Sequence, residues 1–264
     1  MDLENKIYNE LKQGLKRNEL VLYYQPQIDI QKGVIIGVEA LVRWNHPSKG
    51  ILPPSYFIAI AEKTDLINLI GDWVIHEGVS QIKKWLLQGM PISSMSINLS
   101  PIQLRNKKIS EEILKVLNEV GLDPSILDLE LTESVLMHDA EDVNYVIKKL
   151  VDEGVTFSID DFGTGYSSFA YLKKFDVQRI KIDQSFIKGL NQNLEDKKIA
   201  QSIIDLANEL NLDTIAEGVE DEATLTNLKN MGCTQAQGYF IGKPMSAKDF
   251  ETYFSKKLKI KESN

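Results

Sequence analysis

Cysteine is nearly missing from this chain. Cys233 is the single thiol in 264 residues, so no disulfide can form within it and the composition fits a reducing, cytoplasmic setting. The thiol itself reads as a small buried hydrophobe. Histidine is almost as scarce: His46, His76 and His138 are far apart and make no metal-ligand spacing. No apolar run approaches the ~20 residues that a membrane-spanning helix needs. The N-terminal stretch MDLENKIYNELKQGL is polar and helical, which is not the pattern of a secretory leader. Positive charge is in deficit, with 30 Lys and Arg against 38 Asp and Glu and a net charge of -8. That argues against a nucleic-acid polymer as partner, which requires a basic face. An anionic small molecule would need a cation between itself and the protein.

What is present suits one large soluble domain. Hydrophobic residues make up 43% of the chain and charged residues 26%, enough for a sizeable core under a solvated surface. Short apolar runs bounded by turn residues predict eight strands, at 20–28, 34–42, 94–99, 127–132, 155–160, 178–183, 213–217 and 234–238. Helical patterns fill the spaces. Two helices are expected within 54–89. One at 111–120 is capped by Ser110 and stopped by Gly121, and another runs from Asp139 to about Glu153. Others follow at 194–210 and 221–231, and a last one opens at Ser246 and Asp249 and reaches residue 257.

Strand and helix alternate after the first two strands, the pattern of a parallel sheet. Eight strands in this length fit a closed (β/α)8 barrel. Only DIQKG separates the first two strands, too few residues for a parallel crossover. One strand should therefore run antiparallel to the rest, giving a modified TIM-like α/β barrel. An open doubly wound sheet is the alternative.

The polar residues alternate with the apolar ones. Asp128, Glu130 and Thr132 oppose Leu127, Leu129 and Leu131. Ser94, Ser96 and Asn98 oppose Met95, Ile97 and Leu99. Thr156, Ser158 and Asp160 oppose Val155, Phe157 and Ile159, and Arg179, Lys181 and Asp183 oppose Ile180 and Ile182. In a parallel barrel both faces are covered, so the apolar face meets the helices and the polar face points inward. Asn98, Glu130, Asp160, Lys181, Glu217 and Gln237 then fall at C-terminal strand ends, where barrel active sites lie. Glu39 joins them if its strand is suitably oriented. Any one of these can be a turn former, a cap or one half of an ion pair; chance is a poor explanation for all of them at successive ends.

Several carboxylates around one mouth cannot all stay ionised unaided. Hard oxygen donors with one amide favour Mg²⁺ or Mn²⁺ over zinc, and a pair of such ions would make a phosphoryl-transfer site. Lys181 would orient an attacking water or offset phosphate charge. A barrel with carboxylate-bound Mg²⁺ and a lysine also suits proton abstraction beside a carboxylate.

At this point the motifs resemble those of the EAL domain family of cyclic di-GMP phosphodiesterases, across essentially the full length. They are YYQPQ at 23–27, EALVRW at 39–44, INLS at 97–100, LELTES at 129–134, DDFGTGYSS at 160–168, IKIDQSF at 180–186, AEGVE at 216–220 and QGYFIGKP at 237–244. The resemblance implies a single domain over 1–264 that hydrolyses cyclic di-GMP to linear pGpG with two Mg²⁺ or Mn²⁺ ions. It implies Glu39, Asn98, Glu130 and Asp160 as ligands of one ion. Asp160 would bridge to the other, with Asp161 and Glu217. It implies Lys181 at the nucleophilic water, with Glu39 and Glu217 also catalytic, and Gln237 supporting the second ion's water shell and the substrate. Gln25, Leu41 and Arg43 would contact substrate, and Glu133 would steady the DDFGTG loop as part of the catalytic apparatus. A homodimer and a cytosolic location, as a free protein or as a domain of a membrane-anchored one, are further expectations. No catalytic position departs from the pattern, so an inactive receptor is the lesser reading.

FSIDDFGTGY at 157–166 poses a stereochemical question. In a regular strand Asp160 and Asp161 face opposite sides. Both can serve one mouth only if the chain leaves the strand at Asp161, and Gly163 and Gly165 would permit such a turn.

Overall fold

The computed structural model describes residues 3–136, 141–165 and 175–262. Among these residues nine strands form one sheet: β1 Leu20–Asp29, β2 Val34–His46, β3 Gly50–Leu52, β4 Ser94–Asn98, β5 Leu127–Thr132, β6 Thr156–Phe162, β7 Arg179–Ile182, β8 Asp213–Ala216 and β9 Gln235–Gln237. Their order is β1-β9-β8-β7-β6-β5-β4-β2-β3, and β1 also pairs with β2. That last pairing closes eight strands into a barrel and excludes the open sheet. All neighbours from β2 through β4 to β9 are parallel, whereas β1 is antiparallel to both β2 and β9. The reversed strand is thus β1, as the short DIQKG connection requires.

The expected second strand is longer than its pattern. β2 runs on past Val42 to His46 and folds back through β3. The mixed run RWNHPSKGIL carries no clean alternation, and pairing with β1 from Leu20 to Trp44 supplies the missing reason for extension.

Among the described residues the helices are α1 Leu3–Lys16, α2 Ile58–Glu62, α3 Leu66–Leu87, α4 Pro101–Leu104, α5 Ile109–Val120, α6 Glu133–Leu136, α7 Glu141–Asp152, α8 Gln184–Lys188, α9 Leu194–Glu209, α10 Glu222–Met231 and α11 Ala247–Glu262. The expected start at Asp139 lies outside the described residues. The cap assigned to Ser110 is corrected: α5 begins earlier, at Ile109. Asn106 Oδ1 accepts from Lys108 N at 3.1 Å and turns the chain, while the Ser110 hydroxyl donates to Lys107 O at 3.0 Å. Gly121 ends the helix as expected, at φ +67°. Ser246 does cap α11, accepting from Asp249 N at 3.2 Å.

The core lies between strands and helices. Leu129, Leu131, Phe157, Ile159, Ile180 and Ile182 are fully buried on the outer strand faces, each worth about 1.5–3 kcal/mol over an exposed position. Helix α3 covers the neighbouring strands β4, β1 and β2, with buried Ile70, Val74, Ile75, Val79 and Ile82 along one side. With the apolar faces turned outward, the alternating polar residues are forced into the lumen. No described helix is long and apolar enough to cross a membrane.

Candidate active site

The lumen carries two polar layers. In the lower one Asp128 is fully buried. Its carboxylate accepts from Ser96 Oγ at 2.9 Å, Ser158 Oγ at 2.7 Å and Thr156 Oγ1 at 2.9 Å, and Arg179 Nη1 lies 3.3 Å away. The upper layer sits two residues further along the same strands and is built around one lysine. Lys181 is 1% exposed, and its Nζ lies 2.8 Å from Glu130 Oε2, 2.8 Å from Glu217 Oε1, 2.9 Å from Asp160 Oδ1 and 3.9 Å from Glu39 Oε1.

Amides brace this cluster. Asn98 Nδ2 donates to Glu39 Oε1 at 2.9 Å and to Glu130 Oε2 at 3.2 Å. Gln237 Nε2 donates to Glu39 Oε2 and, at 3.1 Å, to Gln25 Oε1. Gln25 Nε2 reaches Gly242 O at 3.1 Å. Strands β1, β2, β4, β5, β6, β7 and β9 each contribute, and Glu217 follows β8 directly with its N–H on Ile182 O at 3.1 Å.

One lysine is too little charge for the acids around it. Burial, reinforced by the charges of Glu39 and Asp160, pushes the Glu130 carboxyl well above its usual range against the pull of Lys181. Burial likewise raises Glu217 to about 7, opposed by Lys181 and aided by Asp160. Asp161 rises to about 6 through burial and the neighbouring charges of Asp160 and Asp183. Burial disfavours the Lys181 ammonium, yet Glu130, Glu217, Glu39 and Asp160 together hold its pKa well above the ordinary value. Buried Glu130 Oε1 has no hydrogen-bond partner, and such an orphan oxygen wants a cation. Oxygens of Asp160, Asp161 and Glu217 lie within 4.8 Å of one another, close enough to share one ion.

The adjacent aspartates reach this site by a different device from the expected one. The chain does not leave the strand. Asp161 stays within β6 and itself adopts φ +55°, at a bulge where the pairing with β7 shifts between Ile159 and Phe162. A bulge inserts one residue and so turns two successive side chains toward one face. Aspartate is among the few non-glycine residues that tolerate the left-handed region.

Glu133 stands apart from the cluster. Its Oε2 accepts from Gly163 N at 3.1 Å and Gly165 N at 3.3 Å, so it anchors the segment after the paired aspartates and does not face the lysine. Above the cluster opens a cavity of about 330 Å³ lined in part by Gln25, Glu39, Leu41, Arg43 and Gln237. Glu39, Leu41 and Arg43 alternate along β2 and rise from the floor of this cavity to its rim. The same cavity is lined by Gln184, Lys188, Glu220 and Tyr239, which sequence reasoning did not single out. They lie on loops and at the two ends of the short helix α8, where no period fixes side-chain direction.

The fold and cluster define a closed mixed α/β barrel with a carboxylate–amide–lysine centre at the C-terminal mouth. The family model described as EAL domain matches residues 8–244, and the chain belongs to that family. It is 42% identical over 242 residues to the Pseudomonas aeruginosa bifunctional diguanylate cyclase/cyclic di-GMP phosphodiesterase MucR, covering 92% of this chain and 35% of that protein. It is 38% identical over 232 residues to the cyclic di-GMP phosphodiesterase PA2567 of the same organism, covering 88% of this chain and 39% of that one. The solved PaMucR phosphodiesterase in complex with c-di-GMP superimposes with a TM-score of 0.89 at 42% identity, covering 93% of this chain and 99% of that one. The chain spans about a third of the length of the curated relatives it matches.

Proposed function

We propose that this chain hydrolyses cyclic di-GMP to linear pGpG with the help of two divalent cations, Mg²⁺ or Mn²⁺. The observation that carries the reading is the convergence of Glu39, Glu130, Asp160 and Glu217 on a single buried lysine beneath an open cavity. The likeness to MucR and PA2567, both named as cyclic di-GMP phosphodiesterases, supplies the substrate.

Glu39, Asn98, Glu130 and Asp160 would hold one ion, and Asp160, Asp161 and Glu217 the other. When bound, the ions would supply Lewis-acid activation of water and phosphate and would offset the acid surplus. The protein's own groups do the rest. Asn98 and Gln237 hold the Glu39 carboxylate from both sides, keeping its oxygens in place without reorganisation during the reaction. Lys181 keeps its proton and presents a fixed cation beside the acids, where negative charge builds on an attacked phosphodiester. Arg43, on the rim, provides a fork suited to a phosphate, and Gln25 and Leu41 line the approach to it. Glu133 holds the backbone that follows Asp161 and so keeps the bulge in register. We assign residues 1–264 to one such domain, working in the cytosol as a homodimer.

The test is incubation with cyclic di-GMP and Mn²⁺ or Mg²⁺, with and without chelator. Linear dinucleotide formed only with metal supports the proposal. Tight binding without turnover under either metal would make the chain a receptor instead.

A further inference from the structure

The second glutamine of YYQPQ, Gln27, has no part in the proposed chemistry, yet it is 1% exposed and lies on the lumen side of β1. A buried amide is costly unless its donors and acceptor are engaged. Gln27 Nε2 donates to Gln237 Oε1 at 3.0 Å, and Gln237 Nε2 donates onward to Glu39 Oε2 and Gln25 Oε1. The direction of this relay is set by its partners. Gln237 turns its NH2 toward the oxygens of Glu39 and Gln25 and its carbonyl toward Gln27. The terminal torsion of a glutamine is soft and roughly two-fold. The donor that meets the carbonyl is therefore what selects the orientation.

A second feature makes room for that donor. Gln27 is paired across the sheet with both Gln237 and Gly37. A Cβ at position 37 would lie 2.9 Å from Gln27 Oε1 and 3.1 Å from Ser94 O. Gly37 is not among the residues with positive φ, so the glycine serves space and not backbone freedom.

We infer that Gln27 is a positioning residue: it locks the Gln237 amide and through it holds the Glu39 carboxylate ready for a divalent cation. The inference rests on the metal-dependent reading above but not on the identity of the substrate.

Its test is a double-mutant cycle read by calorimetric Mn²⁺ titration of the full chain without substrate, on wild type, Gln27→Met, Gln237→Met and the pair. Loss of an outer partner of a metal ligand weakens affinity about 10-fold or more, which is the result expected for Gln237→Met. Gln27→Met should cost about 3-fold, a fraction of that loss because it acts one step further out. The double variant should be no weaker than Gln237→Met alone, because the effect passes through that amide. Gln27→Glu, which sets acceptor against acceptor, should exceed Gln27→Met. In hydrolysis Gln27→Met should lower kcat and leave KM within about 2-fold. Should Gln27→Met fail to fold, Gly37→Ala keeps the native glutamine while displacing its amide, and a weakened Mn²⁺ affinity there is the same expected result. Additive losses in the cycle, or wild-type affinity in Gln27→Met and Gly37→Ala, would overturn the inference, as would a wild-type chain that binds no Mn²⁺. A chain that binds Mn²⁺ but leaves cyclic di-GMP intact would end the functional proposal alone.

Discussion

The two polar layers of the barrel differ by two residues on each strand and by everything in their electrostatics. Ser96, Asp128, Ser158 and Arg179 lie below; Asn98, Glu130, Asp160 and Lys181 lie above. The lower layer has one carboxylate, three hydroxyl donors with Thr156, and one guanidinium. Acid and base balance there, and the oxygens of Asp128 are engaged. The upper layer gathers four carboxylates on one ammonium, with Asp161 beside them and Glu130 Oε1 left without a partner. The lower layer balances in charge, although Arg179 Nε and Nη1 have no hydrogen-bond partner, whereas the upper layer balances only with added positive charge. Burial of polar residues therefore does not mark a site. A surplus of one charge, unbalanced by the fold, does.

Removing Asp160 should break the comparison most sharply. Asp160→Ala takes out the carboxylate shared by both expected ion positions, and turnover should fall below detection while circular dichroism and melting stay close to wild type. Global unfolding would instead make the upper layer structural. Lys181→Ala comes next: metal and substrate should still bind, but kcat should drop about 10²-fold, as for loss of one fixed charge-stabilising donor. Near-normal kcat would remove Lys181 from the chemistry. In the lower layer the expectation inverts. Asp128→Ala should lose about 3–5 kcal/mol in urea denaturation, because it strands Arg179 inside the barrel. The fraction still folded should bind Mn²⁺ as before, and a stability close to wild type would show that the lower layer is dispensable.

The smallest expected effect concerns pH. Without cations, Glu217 is raised from 4.5 to about 7 and Asp161 from 3.8 to about 6. Both are acids whose folded pKa lies above the unfolded value, so the native state binds more protons in between. Their favourable contribution is present below pH 4 or so and is lost as pH rises through about 6 and 7. Cation-free protein should melt progressively lower across that window, and the gain in melting temperature from Mn²⁺ should grow with pH. An equal gain at about pH 5 and about pH 8 would mean that these carboxyls do not receive the ion.

Much of this was legible because strand periodicity is local. Leu129 and Glu130 must face opposite ways wherever the strand sits, and the helices between strands require the apolar side to be outermost. Other features had no local signal. The extension of β2 past Val42 exists because β1 pairs with it as far as Trp44 and β3 pairs with its end to His46. Ser110 looks like a cap, yet the turn at Asn106 starts the helix two residues sooner, at Ile109. The two glycines after Asp161 pointed to a departure from the strand, whereas the backbone strain falls on Asp161 itself, where the β6–β7 register slips. Gln27 was visible only as one letter of a motif until Gln237 came to lie beside it.

Sequence alone determined which residues face inward, because side-chain alternation needs only neighbouring residues, and it determined the excess of acids among them. Tertiary structure decided that those acids meet on one lysine, that the barrel closes through β1 and β2, and that a bulge turns Asp160 and Asp161 to the same mouth. Those outcomes depend on contacts between residues far apart in the chain, and register between strands is set only when the barrel closes.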